Sequence, residues 1–372
     1  MLIRTKHFSA KLFNKEGIRL FRLLGSPSAI SDLILFISLF LAVLLWVHPA
    51  INFCYPGFWR YVPVEGYTTW FLTDAPLGPG KFSYWLASLL APALSNPIAG
   101  SLVITAIACI LCGLTGQALA RFGVRNLSAL KYVPAMIVFF QFVYLLNPLP
   151  QSIASIIGLI ALWIIQIAGS FGSRNRVLLF LGFAILIIIS AVEALLMFAV
   201  LCILFESIVK RNYFVACIEA TAIACLPAAI TILFSPFSTI ADTYARMFPI
   251  FPDYVSFIGL LPFSFRIFFP CIGIIALIDK PIGTISNVFK RKKPGKTFDT
   301  LNKAYRATLP GALIILLTIG IIRFNHEPFT LARPNAVINY AMLSHKWDLL
   351  LDEAGKIPER YLTDSKIHLV DR

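Results

Sequence analysis

The chain has 372 residues, of which 58% are hydrophobic and only 13% charged, and a formal net charge of +14. A soluble domain carries about a quarter charged residues, so this composition excludes one. Apolar runs of about 18 residues or more recur, long enough to cross a bilayer as helices, and they lack the alternation of barrel strands.

The N-terminal segment, 1–29, contains KHFSAKLFNKEGIRLFRLL. As a helix it puts Lys11, Lys15, Arg19 and Arg22 on one side and Phe13, Leu20, Phe21 and Leu24 on the other. That is an amphipathic helix lying on the cytoplasmic leaflet. It is no signal peptide, because charges break its apolar part and no small-residue cleavage site follows.

The transmembrane domain, 30–324, reads as about nine spans in an all-α, polytopic bundle. They fall at 30–48, 98–120, 132–147, 152–172, 177–190, 193–209, 213–234, 256–278 and 308–323. After the first comes a long outer loop, 49–97, rich in Trp, Tyr and Phe. Such rings favour the membrane interface. YTTWFLTDA and FSYWLASLLAPAL read there as short interfacial helices, separated by Pro79-Gly80. The loop's charges are Arg60, Glu65, Asp74 and Lys81.

In the second span Cys109 and Cys112 form a CxxC. Ala108, Cys112, Gly116 and Ala120 recur there every four residues, a small-residue stripe suited to close helix contact. No second Cys or His cluster gives zinc spacing, so no metal or cofactor is identified. Residues 177–209, VLLFLGFAILIIISAVEALLMFAVLCILFESIV, are too many for one helix across about 30 Å and few for two. A tight hairpin near Ser190–Glu193 is therefore expected. Glu193 sits at that turn, and Glu206 and Glu219 lie near inner boundaries with Lys210 and Arg211 as available partners. A second outer loop adds Asp242, Arg246 and Asp253. Arg266 lies within the eighth span, and an ionisable group at such depth suggests a functional site or a buried pair.

With the N-terminus inside, most basic residues fall on inner segments, while the outer loops between spans hold only Arg60, Lys81 and Arg246. This is the positive-inside pattern. It accounts for the +14 through topology and anionic lipid, with no nucleic acid needed. The tail, 325–372, then lies outside. It reads as a helical hairpin starting at Asn335, turning at Ser344–Lys346 and burying Trp347, Leu350, Leu351 and Ala354. The hairpin resembles one tetratricopeptide-like repeat. One repeat does not bury its own face, so the tail is expected to be a shortened form of a longer one, with its last residues poorly packed.

Carboxylates, cations and aromatic rings beside lipid have a chemical use. Glycosyl transfer from a lipid-phosphate donor takes a carboxylate as general base and cations at the leaving phosphate. The long first outer loop and many spans resemble the GT-C class of membrane glycosyltransferases. For such a transfer the candidates are Asp74 or Glu65 as base and Arg60, Lys81 or Arg246 at phosphate, with Asp242, Glu193 and Arg266 as further candidates. The paired-acid motif common in that class is absent, since Glu65 and Asp74 stand apart. EGYTTWFLTDAPLGPGKFSYWLASLLAP, AVEALLMFAVLCILFESIVKR and NAVINYAMLSHKWDLLLDEAGKIP are similar to segments of an uncharacterised family of bacterial inner-membrane proteins with a soluble helical tail. Three functions follow as expectations. The first is a transferase using a polyprenyl-phosphate sugar. The second is an assembly protein binding a protein partner through 335–372. The third is a transporter, weakened because no inverted repeat is visible.

Overall fold

The computed structural model describes residues 27–53, 81–124, 127–143, 148–168, 172–234, 244, 264–277, 279, 332–343 and 345–355. Every regular element among them is helical. The amphipathic segment 1–26, the expected helix at 67–75, the ninth span and the last residues of the tail lie outside the described residues.

The first span is α1, Pro27–Ala42, widened to a π-helix over Val43–Val47. It stops where His48 turns left-handed (φ 51°) and Pro49 opens the short α2, Pro49–Phe53. After the loop come α3, Lys81–Leu94, and α4, Pro97–Arg121. Asn96 caps α4, its side chain accepting from the amides of Ile98 (2.9 Å) and Ala99 (3.2 Å). Pro97 at the first position needs no hydrogen bond there.

The α3 helix does more than lie on a leaflet. Ser83, Ala87, Ala91 and Leu94 are buried, and through this narrow strip α3 packs on α4 and on two helices further along. Small side chains four apart permit that approach. Phe82 and Leu89 remain exposed.

A 3-10 turn, Ser128–Tyr132, leads into α5, Val133–Val143. Next is α6, Leu149–Ile167. It starts earlier than the hydropathy run suggests, because Pro148 and Pro150 suit a first helical turn. The α4 helix is the hub, packing against α1, α2, α3, α5 and α6.

The stretch Ser173–Lys210 spans 38 residues. As one straight helix it would reach about 57 Å. Instead α7, Ser173–Ala191, folds back into α8, Leu195–Leu204, through a turn at Val192–Ala194. The fold-back is fixed by contacts across it. Arg176 Nε meets Glu206 Oε1 at 2.7 Å, and the Phe180 and Phe198 rings stack 5.5 Å apart. The hairpin expected near Ser190–Glu193 is therefore present. The end of α8 widens to a π-helix at Phe205–Lys210, and Arg211 turns left-handed (φ 55°) before α9, Tyr213–Phe234. The α9 helix packs on α7 and α8. A further helix, α10, covers Ser264–Leu277.

Phe139, Phe142, Phe180, Phe198, Phe265 and Phe269 fill the bundle core. Large apolar residues also cover its outside, among them Leu33, Ile37, Leu102, Leu178 and Leu186. A bundle apolar within and without is suited to lipid. Pro97–Arg121, Leu149–Ile167, Ser173–Lys210 and Tyr213–Ile232 are long and apolar enough to cross a membrane. The chain is a membrane protein. Glycines mark the tight crossings: a Cβ on Gly158 would stand 2.6 Å from the Met197 methyl. On Gly100 it would stand 2.6 Å from the Pro49 ring and 3.1 Å from the Leu94 backbone.

The tail forms α11, Ala332–Leu343, and α12, Trp347–Gly355. The first begins before Asn335, with Pro334 in its opening turn, where proline is favoured. His345 is left-handed (φ 54°) at the turn. Ile338, Ala341, Leu350 and Ala354 close the hairpin, while Trp347 and Leu351 are 51% exposed each. The other side of α11 docks on α2. Val337 packs with Ile51, and the Tyr340 and His48 rings meet edge to face at 5.4 Å.

Candidate functional site

The hairpin turn between α7 and α8 carries Glu193 to the end of the bundle where α3 begins. Tyr84, in the first turn of α3, donates its hydroxyl hydrogen to Glu193 Oε1 at 2.5 Å. Arg266, in the first turn of α10, brings Nη2 to 3.3 Å from Glu193 Oε2. Three elements far apart in sequence thus converge on one carboxylate. The Glu193 side chain is 9% exposed and that of Arg266 23%. Arg266 Nε has no hydrogen-bond partner among the described residues.

Beside this cluster lies a cavity of about 40 Å³, lined by Gln151, Ser155, Glu193, Met197, Arg266 and Phe269. That is room for at least one ordered water. The α6 helix supplies Gln151 and Ser155 because its first turns face α8 and the hairpin turn. A carboxylate held between a hydroxyl and a guanidinium can accept a proton from a bound hydroxyl. A guanidinium with donors to spare can hold an anion such as phosphate in a fixed orientation.

Of the outer-loop candidates, Arg60, Glu65, Asp74, Asp242 and Arg246 lie outside the described residues, as does the side chain of Lys81. The chain on both sides of segment 54–80 is nevertheless placed. The α2 helix, ending at Phe53, packs on α3, and α3 starts at Lys81, one turn from Tyr84. In sequence, the segment carrying Arg60, Glu65 and Asp74 leads into α3, the helix that brings Tyr84 to Glu193.

The opposite end of the hairpin holds a second polar cluster, and a third joins α1 to the turn before α5. Arg176 and Glu206 form a two-pronged pair, Nε–Oε1 at 2.7 Å and Nη2–Oε2 at 3.0 Å. Glu206 therefore pairs with Arg176 across the hairpin, where its sequence neighbours Lys210 and Arg211 had been the available partners. Lys210 instead stands 5.8 Å over the Phe205 ring. Glu219 is fully buried, and neither of its oxygens has a hydrogen-bond partner among the described residues. The third group was not foreseen. Lys131 Nζ reaches both oxygens of Asp32 at 2.9 and 2.8 Å, and the Tyr132 hydroxyl also donates to Asp32. An acid opening the first span and a lysine in the inner turn before the third were its only sequence signal. Among the described residues no group of His, Cys, Asp and Glu could hold a metal. Cys112 packs with Leu35 and Tyr132 as part of the small-residue stripe.

A model of a family of unknown function, DUF6057, matches residues 30–363, most of the chain, and the chain belongs to that family. No curated protein and no solved structure matches the chain.

Proposed function

For this member of a family of unknown function, we propose a membrane-embedded transferase of GT-C-like character. It moves a sugar or related group from a polyprenyl-phosphate carrier onto an envelope glycan or lipid, in the bacterial inner membrane. The observation that carries the reading is the convergence of Tyr84, Glu193 and Arg266 on a cavity at the end of the bundle that anchors the long loop. In this reading Arg266 holds the carrier phosphate and stabilises charge as it leaves. A carboxylate takes the acceptor proton. Asp74 or Glu65 fills that role if the loop folds over the cluster, and Glu193 fills it if the loop only covers it. Arg60, Lys81 and Arg246 are further cations for the phosphate. The N-terminus is cytoplasmic and the cluster and tail extracytoplasmic, following the basic residues.

One observation favours an assembly protein instead. Trp347 and Leu351 stand exposed on α12, away from the face that closes the tail hairpin. A partner docking there would treat the tail as a tetratricopeptide-like unit.

The test uses cells lacking the gene, complemented at matched expression with wild type, Asp74→Ala, Glu193→Gln or Arg266→Met. Lipid-linked and surface glycans are profiled by mass spectrometry. The transferase reading expects a glycan that returns with wild type and stays absent with Arg266→Met and with one carboxylate variant. If no glycan changes, or all variants restore it, the reading is wrong. A further complementation with Trp347→Glu tests the alternative: restoration by all of these but not by Trp347→Glu would favour assembly.

A further inference from the structure

Among the described residues, two arginine–glutamate pairs sit in the bundle, and they are built differently. Arg176 and Glu206 meet through two hydrogen bonds of 2.7 and 3.0 Å, and their side chains are 9% and 1% exposed. That pair is closed and satisfied. Arg266 and Glu193 meet through a single contact of 3.3 Å, longer than a charge-assisted hydrogen bond of about 2.7–2.9 Å. The Arg266 side chain is 23% exposed, and its buried Nε has no hydrogen-bond partner among the described residues. A cavity lies beside it, with Gln151 and Ser155 on the wall. Glu193 is separately anchored through Oε1, which accepts from the Tyr84 hydroxyl. It keeps that anchor when its other oxygen lets go of the guanidinium.

This arrangement leaves Arg266 half committed. A closed fork, as at Arg176, has no donors to spare for a ligand. An arginine with no counter-ion would be open to any anion of suitable shape. Here a tethered carboxylate competes with each incoming anion, and it does so at a high effective concentration. The apparent affinity for any phosphate then falls by the fraction of the arginine that Glu193 leaves available. The rest of the cavity wall is apolar, with Leu196, Met197, Ile267, Phe269 and Pro270. It offers a hydrated free phosphate little in exchange for its water. A phosphate on an isoprenoid chain is different. The chain holds it at the membrane and adds binding with each buried methylene. The same loss of affinity therefore leaves the lipid ester bound and the free ion unbound.

We propose that Glu193 is a specificity-determining counter-ion: it occupies Arg266 in the empty site and keeps free phosphate out, so that a phosphate ester on a lipid chain is what displaces it. The proposal rests on the reading above, in which Arg266 holds the carrier phosphate. It concerns binding alone and holds whichever carboxylate takes the acceptor proton.

The test measures binding without turnover. The full chain in nanodiscs of neutral lipid is titrated in a calorimeter with farnesyl phosphate or with inorganic phosphate, against empty nanodiscs. Wild type is expected to bind farnesyl phosphate and not inorganic phosphate over the same concentration range. Glu193→Gln should tighten farnesyl phosphate about tenfold and bring inorganic phosphate into the range that binds. Glu193→Asp draws the carboxylate back by one methylene. It should move both the same way by a smaller factor, and it serves if the glutamine variant does not fold. Arg266→Met should lose farnesyl phosphate. Arg266→Lys keeps the charge without the fork, should weaken binding, and serves if the methionine variant does not fold. Suppose the Arg266 variants lose or weaken binding, yet the Glu193 variants bind no tighter than wild type. Glu193 then only positions the arginine, so the inference is overturned while the phosphate reading of Arg266 stands. If the Arg266 variants bind as wild type does, or wild type binds neither compound, that reading falls and the inference with it. Inorganic phosphate binding to wild type as tightly as farnesyl phosphate would also overturn the inference, because free phosphate is then not kept out.

Discussion

Removing either member of the Arg176–Glu206 pair should destabilise the protein, and by unequal amounts. The two hydrogen bonds are 2.7 and 3.0 Å long, and the side chains are 9% and 1% exposed. Breaking a buried pair by removing one partner costs about 3–5 kcal/mol, chiefly because a charge is stranded. What is stranded differs. Arg176→Gln leaves Glu206 and Glu219 facing each other with no cation, so its cost belongs near about 5 kcal/mol. Glu206→Gln leaves Arg176 with Glu219 in electrostatic reach, a replacement partner that brings the cost to about 3 kcal/mol or less. Arg176→Met with Glu206→Leu removes both charges and should recover most of the loss. The assay is SDS-titrated unfolding in mixed micelles, run as a double-mutant cycle. If both single variants cost about 1 kcal/mol or less, the pair is solvated and does not clasp the hairpin. If the two costs are equal, Glu219 does not take part.

Three other outcomes are expected. Gly100→Ala should cost more than Gly158→Ala, about 3 against about 1 kcal/mol in the same assay. The Pro49 ring and Leu94 backbone are rigid, whereas the Met197 methyl can turn away. Tyr84→Phe should lower glycan restoration about tenfold and cost about 1–3 kcal/mol in the unfolding assay, because it removes a hydrogen bond to the buried Glu193 carboxylate. An unimpaired Tyr84→Phe would remove Tyr84 from the site. Val337→Asp should release the tail from α2, lowering its local opening free energy by about 2 kcal/mol. Limited proteolysis would then cut the tail about thirtyfold faster. An unchanged rate would mean that the contact with Ile51 does not hold the tail.

Much of the bundle was legible because hydrophobic length is a direct constraint in lipid. Residues 177–209 had to fold back, and Ser190–Glu193 offered the only polar break near the middle. Arg266 stood out because a guanidinium in an apolar run is rare. Its partner was not legible. Glu193 is on another element, and one sequence carries no trace of which helices touch. The same holds for Arg176, whose partner Glu206 lies thirty residues on. Proximity in sequence favoured Lys210 and Arg211 for Glu206, but the hairpin geometry overrode it. The α3 helix was read by its aromatic residues as interfacial, while its role in the bundle rests on Ser83, Ala87 and Ala91, whose size carries no hydropathy signal. The interior Glu219 was visible as a charge, but that its oxygens have no hydrogen-bond partner among the described residues shows only once the helices are assembled.

The docking of α11 on α2 has a consequence for biosynthesis. His48 and Ile51 leave the ribosome among the first described residues, and Val337 and Tyr340 among the last. Between those events the apolar side of α2 has no tail to cover it, while the spans in between insert. The tail contact therefore reports completion. It forms only after the whole membrane domain has been made. A protease or chaperone that samples exposed apolar surface would meet α2 in every unfinished chain and lose it in each finished one.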